Sequence, residues 1–435
     1  MQTDFTARQR EDPGIVTAAG IIRNCVHCGF CTATCPTYLL TGDELDSPRG
    51  RIWLIKDMLE AGGPPAPAAV HHIDRCLGCL SCLTTCPSSV DYRQLVDVAR
   101  VHIAEHHRRP WHQRLLRGLL STVLTRPALF AAAVSAGRLV RPLAGLLPAP
   151  LQAMLAMVPA KAATAAAPRA GVFSPIGAGA GARVALHAGC VQPVLRPEID
   201  AAAIRLLNRH GVEVVVAATG LCCGALDHHM GKEDRARRLA MANIEAWEAE
   251  LAGGGLDAIL VTASGCGTVV RHYDELFARD PAWAARAARI AGLTRDISEY
   301  VATLDLLPPV IAPGLAVAYH SACSLQHGQQ VRLQPRQLLA ASGFDVREIG
   351  EGHICCGSAG TYSILQPEMS QALKARKQAA IARTGATLVA SGNIGCLEHL
   401  SSEAAPTIHL VELLDWATGG PRPSALPVSG NRDDS

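Results

Sequence analysis

Aromatic residues are scarce in this 435-residue chain: Phe, Trp and Tyr together make up 4%. That removes the stacking platforms on which single-stranded nucleic acids are held. Net charge is lacking too. Against 40 Lys and Arg stand 38 Asp and Glu, a net +2, too little to draw a polyanion. No nucleic-acid partner is expected. GxSxG and HExxH are both missing, and with them the serine-hydrolase and zincin signatures. The one glycine-rich run, GAGAGA at 177–182, precedes a strand pattern instead of following one, so it is no nucleotide fingerprint. No flavin is expected in this chain. The N-terminus has no long apolar core, being broken by Asp4, Arg8, Arg10, Glu11 and Asp12. It does not read as a secretory leader, and a cytoplasmic, reducing location is expected.

What the chain has is cysteine, 16 in all. Under reducing conditions, clustered cysteines point to metal. Residues 1–110 carry two runs of one spacing, Cys25-x2-Cys28-x2-Cys31-x3-Cys35-Pro36 and Cys76-x2-Cys79-x2-Cys82-x3-Cys86-Pro87. This is the two-cluster ferredoxin pattern, in which the fourth cysteine of each run serves the other cluster. Cys25, Cys28, Cys31 and Cys86 are therefore expected on one [4Fe–4S] cluster, and Cys76, Cys79, Cys82 and Cys35 on the second. Zinc sites do not use paired runs of four with a trailing Cys-Pro. Because Cys31 and Cys35 are four residues apart, the clusters must be neighbours, at most about 14 Å apart at those Cα atoms. Between the runs, Ser47-Pro48 opens a helix with Ile52, Ile55, Met58 and Leu59 on one face, ended by Gly62-Gly63-Pro64. His27, His71 and His72 lie nearby and are read as surface or supporting residues, since eight cysteines fill both clusters.

Residues 183–418 are a duplication. Cys190, Cys222, Cys223 and Gly224 recur 133 residues on as Cys323, Cys355, Cys356 and Gly357, and Cys266 recurs 130 on as Cys396. HAGC at 187–190 matches HSAC at 320–323. Short apolar strands are predicted at 183–187, 212–217 and 257–262, then at 315–319, 345–349 and 386–390. Helices are predicted at 198–210 and 232–251. Alternating strands and helices imply parallel sheet, and each cysteine falls shortly after a strand, at the sheet edge where such folds bind ligands. The two repeats are bounded as 183–305 and 306–418. Four thiolates per repeat suit a further iron–sulfur cluster, a zinc ion or no metal, and these readings stay open. A redox disulfide between vicinal cysteines needs a strained ring, which nothing here demands. His187, His228, His320 and His353 flank the sites. They are read as loop histidines bonded to sulfur or solvent, ahead of the alternative that imidazole replaces a thiolate.

Residues 111–160 form an apolar helical segment. Leu115, Leu116, Leu119, Leu120, Leu124 and Phe130 are mixed with Arg114, Arg117, Arg126, Arg138 and Arg141. Helices on a membrane surface, helices docked to a partner and helices packed on their own domain are all consistent with it. The best spanning candidate, 142–160, is interrupted by Pro148, Pro150 and Pro159. Residues 161–182 read as a linker and 419–435 as a disordered tail.

Taken together, the two ferredoxin runs and the two Cys…CCG…Cys repeats resemble the iron–sulfur subunits of glycolate oxidase. The wider group includes those of glycerol-3-phosphate dehydrogenase, lactate-utilisation proteins and heterodisulfide reductase. DSPRGRIWLIKDM at 46–58 and SGNIGCLEHL at 391–400 carry the glycolate oxidase likeness in particular. The resemblance implies an α+β multidomain protein, a mostly α-helical two-cluster ferredoxin domain followed by two α/β cysteine-rich repeats. It implies an electron-transfer subunit without a catalytic residue of its own. Electrons would come from FAD-containing subunits that oxidise glycolate to glyoxylate and go to a quinone or other membrane acceptor, with peripheral contact at the inner membrane. Alternatives are the same role in a lactate or glycerol-3-phosphate complex, or a disulfide-reductase activity of the repeats. Members of the wider group often end each repeat in CxxC. Here Ala263 and Asn393 stand where the extra cysteine would be, which puts the group's non-cubane cluster in doubt.

Overall fold

The structure, a computed structural model, describes residues 1–146, 155, 158, 166–176, 181–220, 222–311 and 314–426. Most of the predicted apolar stretch beyond Leu146, parts of the predicted linker with most of GAGAGA, and the tail beyond Leu426 lie outside the described residues.

The N-terminal region is helical: α1 (Pro13–Asn24), α2 (Pro36–Thr41), α3 (Pro48–Ala61), α4 (Pro67–Asp74), α5 (Ser81–Thr85) and α6 (Tyr92–His106). Four of the six begin with proline at the first helical position, where its missing N–H costs nothing. Ser47 caps α3 by accepting from the Gly50 amide at 3.0 Å, as its sequence announced. Ile22, Ile55, Leu59, Ile73, Leu95 and Ile103 are fully buried between α1, α3, α4 and α6. That core holds the two cysteine runs at one end of the helices.

Two amphipathic helices follow, α7 (Trp111–Val123) and α8 (Pro127–Val140). α7 buries Leu120 and Ser121 against the first repeat, while Trp111, Leu115 and Leu119 stay exposed. Pro127–Leu146 is long and apolar enough to cross a membrane by length and composition alone. It starts earlier than the 142–160 stretch picked from the sequence.

The repeats build two sheets. Strands β1 (Gly171–Phe173), β2 (Ala182–His187), β3 (Val212–Val216), β4 (Ala258–Val261) and β5 (Thr294–Asp296) assemble in the order β1-β3-β2-β4-β5. Strands β6 (Ala316–Tyr319), β7 (Asp345–Glu348), β8 (Leu388–Ser391) and β9 (Thr407–His409) assemble as β7-β6-β8-β9. All pairs are parallel except β1 with β3. Omitting β1, the two orders are the same, so the duplication seen in the cysteines is a duplication of topology. The structure differs from the sequence reading in three short strands. β1 lies inside the predicted linker, and β5 and β9 are each three residues long, too short to show a period. The repeats also share one apolar core, with Val184, Leu207, Val317 and Leu413 all fully buried in it. The helices Pro197–Arg209 and Leu410–Ala417 pack across the join.

Candidate metal centres

Chain geometry brings the ferredoxin cysteines into two cavities. One is lined by Cys25, Cys28, Cys31 and Cys86, the other by Cys35, Cys76 and Cys79, and Cys82 lines both as the wall between them. Cys35 thus faces the second run and Cys86 the first. Local backbone explains the crossing. Cys35 sits in extended conformation at the N-cap of α2, and Pro36 turns the chain away behind it. Gly29 and Gly78 take positive φ inside the CxxC loops, folding each loop tightly around its sulfurs.

Burial favours the neutral thiol at three of these cysteines. Burial pushes Cys31 up to about 11 and raises Cys79 and Cys82 well above the usual range, with neighbouring thiols adding to it. A metal cluster would take them as thiolates and release their protons. N–H and O–H groups already point at the sulfurs: Gly78 to Cys76 at 3.5 Å, Val90 to Cys86 at 3.5 Å, and Tyr92 to Cys76 at 3.7 Å. The donor set and its hydrogen bonds fit two four-iron clusters.

Beneath the second cavity lies a buried polar network that sequence reasoning missed. Asp46 is wholly buried and accepts from Arg75 at 2.9 Å, Arg51 at 3.4 Å and the His72 ring at 2.9 Å. Burial alone would raise its carboxyl. The His72 bond and the two guanidinium charges outweigh that and hold it below the ordinary range. Arg51, 1% exposed, also bonds the His72 carbonyl at 2.7 Å and Thr37 Oγ1 at 3.0 Å, and its Nη1 lies 3.8 Å from Cys35 Sγ. His72 is therefore a buried supporting residue.

In each repeat the strand order sets the site. Cys190 follows β2, Cys222 and Cys223 follow β3, and Cys266 follows β4. These three strands are neighbours, so their carboxyl ends gather four thiols where the strand order reverses. In the second repeat Cys323 Sγ lies 3.7 Å from Cys355 Sγ, and Cys356 Sγ 3.5 Å from Cys396 Sγ. The glycine after each CC pair is required. Gly224 and Gly357 have φ of +84° and +95°, and a Cβ on Gly357 would meet the Ser370 carbonyl at 2.6 Å. In the first repeat Asn243 donates to the Cys222 carbonyl at 2.7 Å and Tyr273 to that of Cys223 at 2.9 Å. Hydrogen bonding from Cys190 pulls Cys222 well down, and bonding from Cys223 brings Cys266 down to about 6.

Asn393 joins the two sites. Its Nδ2 donates to Cys396 Sγ at 3.3 Å, and its Oδ1 accepts from the Gly265 amide of the other repeat at 3.3 Å. The position where a fifth cysteine was missed is a cross-brace. The histidines divide. His228 bonds Asp97 of α6 at 3.0 Å and His353 is exposed. His187 ends β2 and His320 directly follows β6; they are 3% and 2% exposed, so neither bonds solvent, and each faces cysteine sulfurs.

The ferredoxin domain docks asymmetrically. Cys79 packs with Cys323 and Cys355 in one apolar cluster, Thr84 Oγ1 meets the His327 ring at 2.7 Å, and Tyr362 donates to the Arg75 carbonyl at 3.1 Å. Toward the first repeat it offers the Arg93–Glu275 pair at 2.6 and 2.8 Å and Asp97–His228. All eight repeat cysteines line one cavity of about 1060 Å³, walled on the far side by Leu120 and Val134 of α7 and α8.

Comparison with known proteins agrees with this division. A 4Fe-4S dicluster domain matches residues 21–90, and a cysteine-rich domain matches twice, at 184–271 and 317–401. The glycolate oxidase iron–sulfur subunit of Escherichia coli is 38% identical over 96% of this chain and 99% of its own length. A probable glycolate oxidase iron–sulfur subunit of Bacillus subtilis is 32% identical over 96% of this chain and 97% of its own. Lactate utilization protein A of Bacillus subtilis is 24% identical over 54% of this chain and 99% of its own.

Proposed function

The chain belongs to the family of glycolate oxidase iron–sulfur subunits. From that premise we propose that it carries electrons from an FAD-containing partner that oxidises glycolate to glyoxylate toward a quinone at the membrane. The observation that carries the relay is the pair of four-cysteine cavities with Cys82 as common wall, the second abutting Cys323 and Cys355 at Cys79. Iron–sulfur clusters supply reversible one-electron chemistry, which is what splitting a two-electron flavin oxidation needs. The residues of this chain set the spacing, bury Cys25, Cys35, Cys76 and Cys82, and tune charge through Arg51 and Asp46.

Two features support a membrane acceptor. The 1060 Å³ cavity joins the repeat cysteines to α7 and α8, and the outer residues Leu115, Leu119, Leu139, Leu143 and Leu146 are exposed. Exposed apolar helices of this kind suit a peripheral seat on the cytoplasmic face of the inner membrane. Glycolate is favoured over lactate because the glycolate oxidase relatives span the whole chain and the lactate utilization proteins only about half.

The test purifies the complex anaerobically and adds glycolate, lactate or glycerol 3-phosphate while following the ferredoxin signals by EPR. Reduction by glycolate, and passage of those electrons to decyl-ubiquinone, is expected. Clusters that stay oxidised with glycolate but reduce with lactate would move the assignment to the sister complex. Zinc without iron would end the relay reading.

A further inference from the structure

Two imidazoles stand unused at equivalent stations of the repeats. His187 closes β2 and His320 directly follows β6. Both are at least 97% buried. Among the described residues, neither ring nitrogen of either histidine has a hydrogen-bond partner meeting normal geometry, and none of the four is reached by solvent. Buried polar nitrogens almost always find a partner. One orphan is an accident of packing; the same orphan in both halves points to a need the halves share. What these rings do face is sulfur. A ring nitrogen of His187 and the sulfurs of Cys223 and Cys266 all lie within 4.8 Å of one another, and the same holds for His320, Cys356 and Cys396. The edge of Trp247 packs on His187 with ring centroids 5.6 Å apart and fixes its orientation.

We propose that His187 and His320 are nitrogen ligands of an iron–sulfur centre in each repeat, completing a five-donor set with the four cysteines. Five donors exceed the four that a tetrahedral zinc ion takes, which favours a multi-iron centre. With histidine where a fifth thiolate would otherwise sit, such a centre carries less negative charge and a higher potential than its all-cysteine counterpart. The inference rests on the electron-transfer reading only in naming iron as the metal.

The test uses the anaerobically purified complex. Iron and zinc are counted per chain, and the repeat centres are read by pulsed EPR for the coupling of a directly bound imidazole nitrogen. Iron beyond the roughly eight atoms that two four-iron clusters take is expected, together with that nitrogen coupling. The double variant His187→Cys/His320→Cys should keep the iron, lose the coupling and shift the repeat potentials downward. His187→Ala/His320→Ala should lose at least half of the repeat iron while both ferredoxin signals persist. Zinc or no metal in the repeats overturns the proposal, and so does a repeat centre with no nitrogen coupling or with coupling that survives the double substitution. Reduction of the ferredoxin signals by glycolate is scored separately, so failure of the relay reading is told apart from failure of this one.

Discussion

Removing the charge of Arg51 should lower the reduction potential of the second cluster and leave the first unchanged. Arg51 is 1% exposed and its guanidinium lies 3.8 Å from Cys35 Sγ. If the added electron sat on that sulfur, an effective dielectric constant near 20 gives an attraction of about 4 kcal/mol. The electron spreads over a cluster further off, and the Asp46 carboxylate 3.4 Å away cancels part of the field. Halving or quartering the figure leaves about 1–2 kcal/mol, or roughly 50–100 mV for one electron. Arg51→Gln should still fold, because Asp46 keeps Arg75 and His72 as partners. The assay is a redox titration of the anaerobic complex followed by EPR, with Arg51→Lys as the variant that keeps the charge. The expected order of potentials is wild type, then Lys close to it, then Gln lowest. A second-cluster potential unmoved by Arg51→Gln, or a shift confined to the first cluster, would refute both the electrostatic account and the assignment of Cys35.

Three further outcomes follow from the same structure. Cys35→Ser should abolish the EPR signal of the cluster built on Cys76, Cys79 and Cys82; loss of only the Cys25/Cys28/Cys31 cluster would refute the crossing. Gly357→Ala, forced into positive φ against the Ser370 carbonyl, should cost about 2 kcal/mol or more in denaturant unfolding. Asp296 is raised to about 7 by burial, and its Oδ2 has no partner. Its folded pKa exceeds the unfolded value of 3.8, so its contribution to stability is full below that and is lost as pH rises toward 7. Asp296→Asn should flatten the stability profile over that window, and an unchanged slope would rule the carboxyl out.

The legible parts of this protein were those written in spacing. The 133-residue echo gave the duplication, and short apolar runs repeated along it gave the parallel strands β2, β3, β4, β6, β7 and β8 to within about two residues. What stayed hidden was long-range pairing of single residues. Nothing local links Asp46 to Arg75, Asp97 to His228 or Asn393 to Gly265, since each bond is made by packing between distant segments. Asn393 was seen only as a missing cysteine. Solvent stayed open as a partner for His187 and His320, because burial at the end of a strand comes from the sheet around it, not from the strand.

Contact between Cys79 and the second repeat gives the duplicated halves unequal ranks. In the relay proposed above, the second repeat would then be the junction and the first the terminus. A lesion at the junction would halt all onward traffic, whereas a lesion at the terminus would leave charge standing behind it.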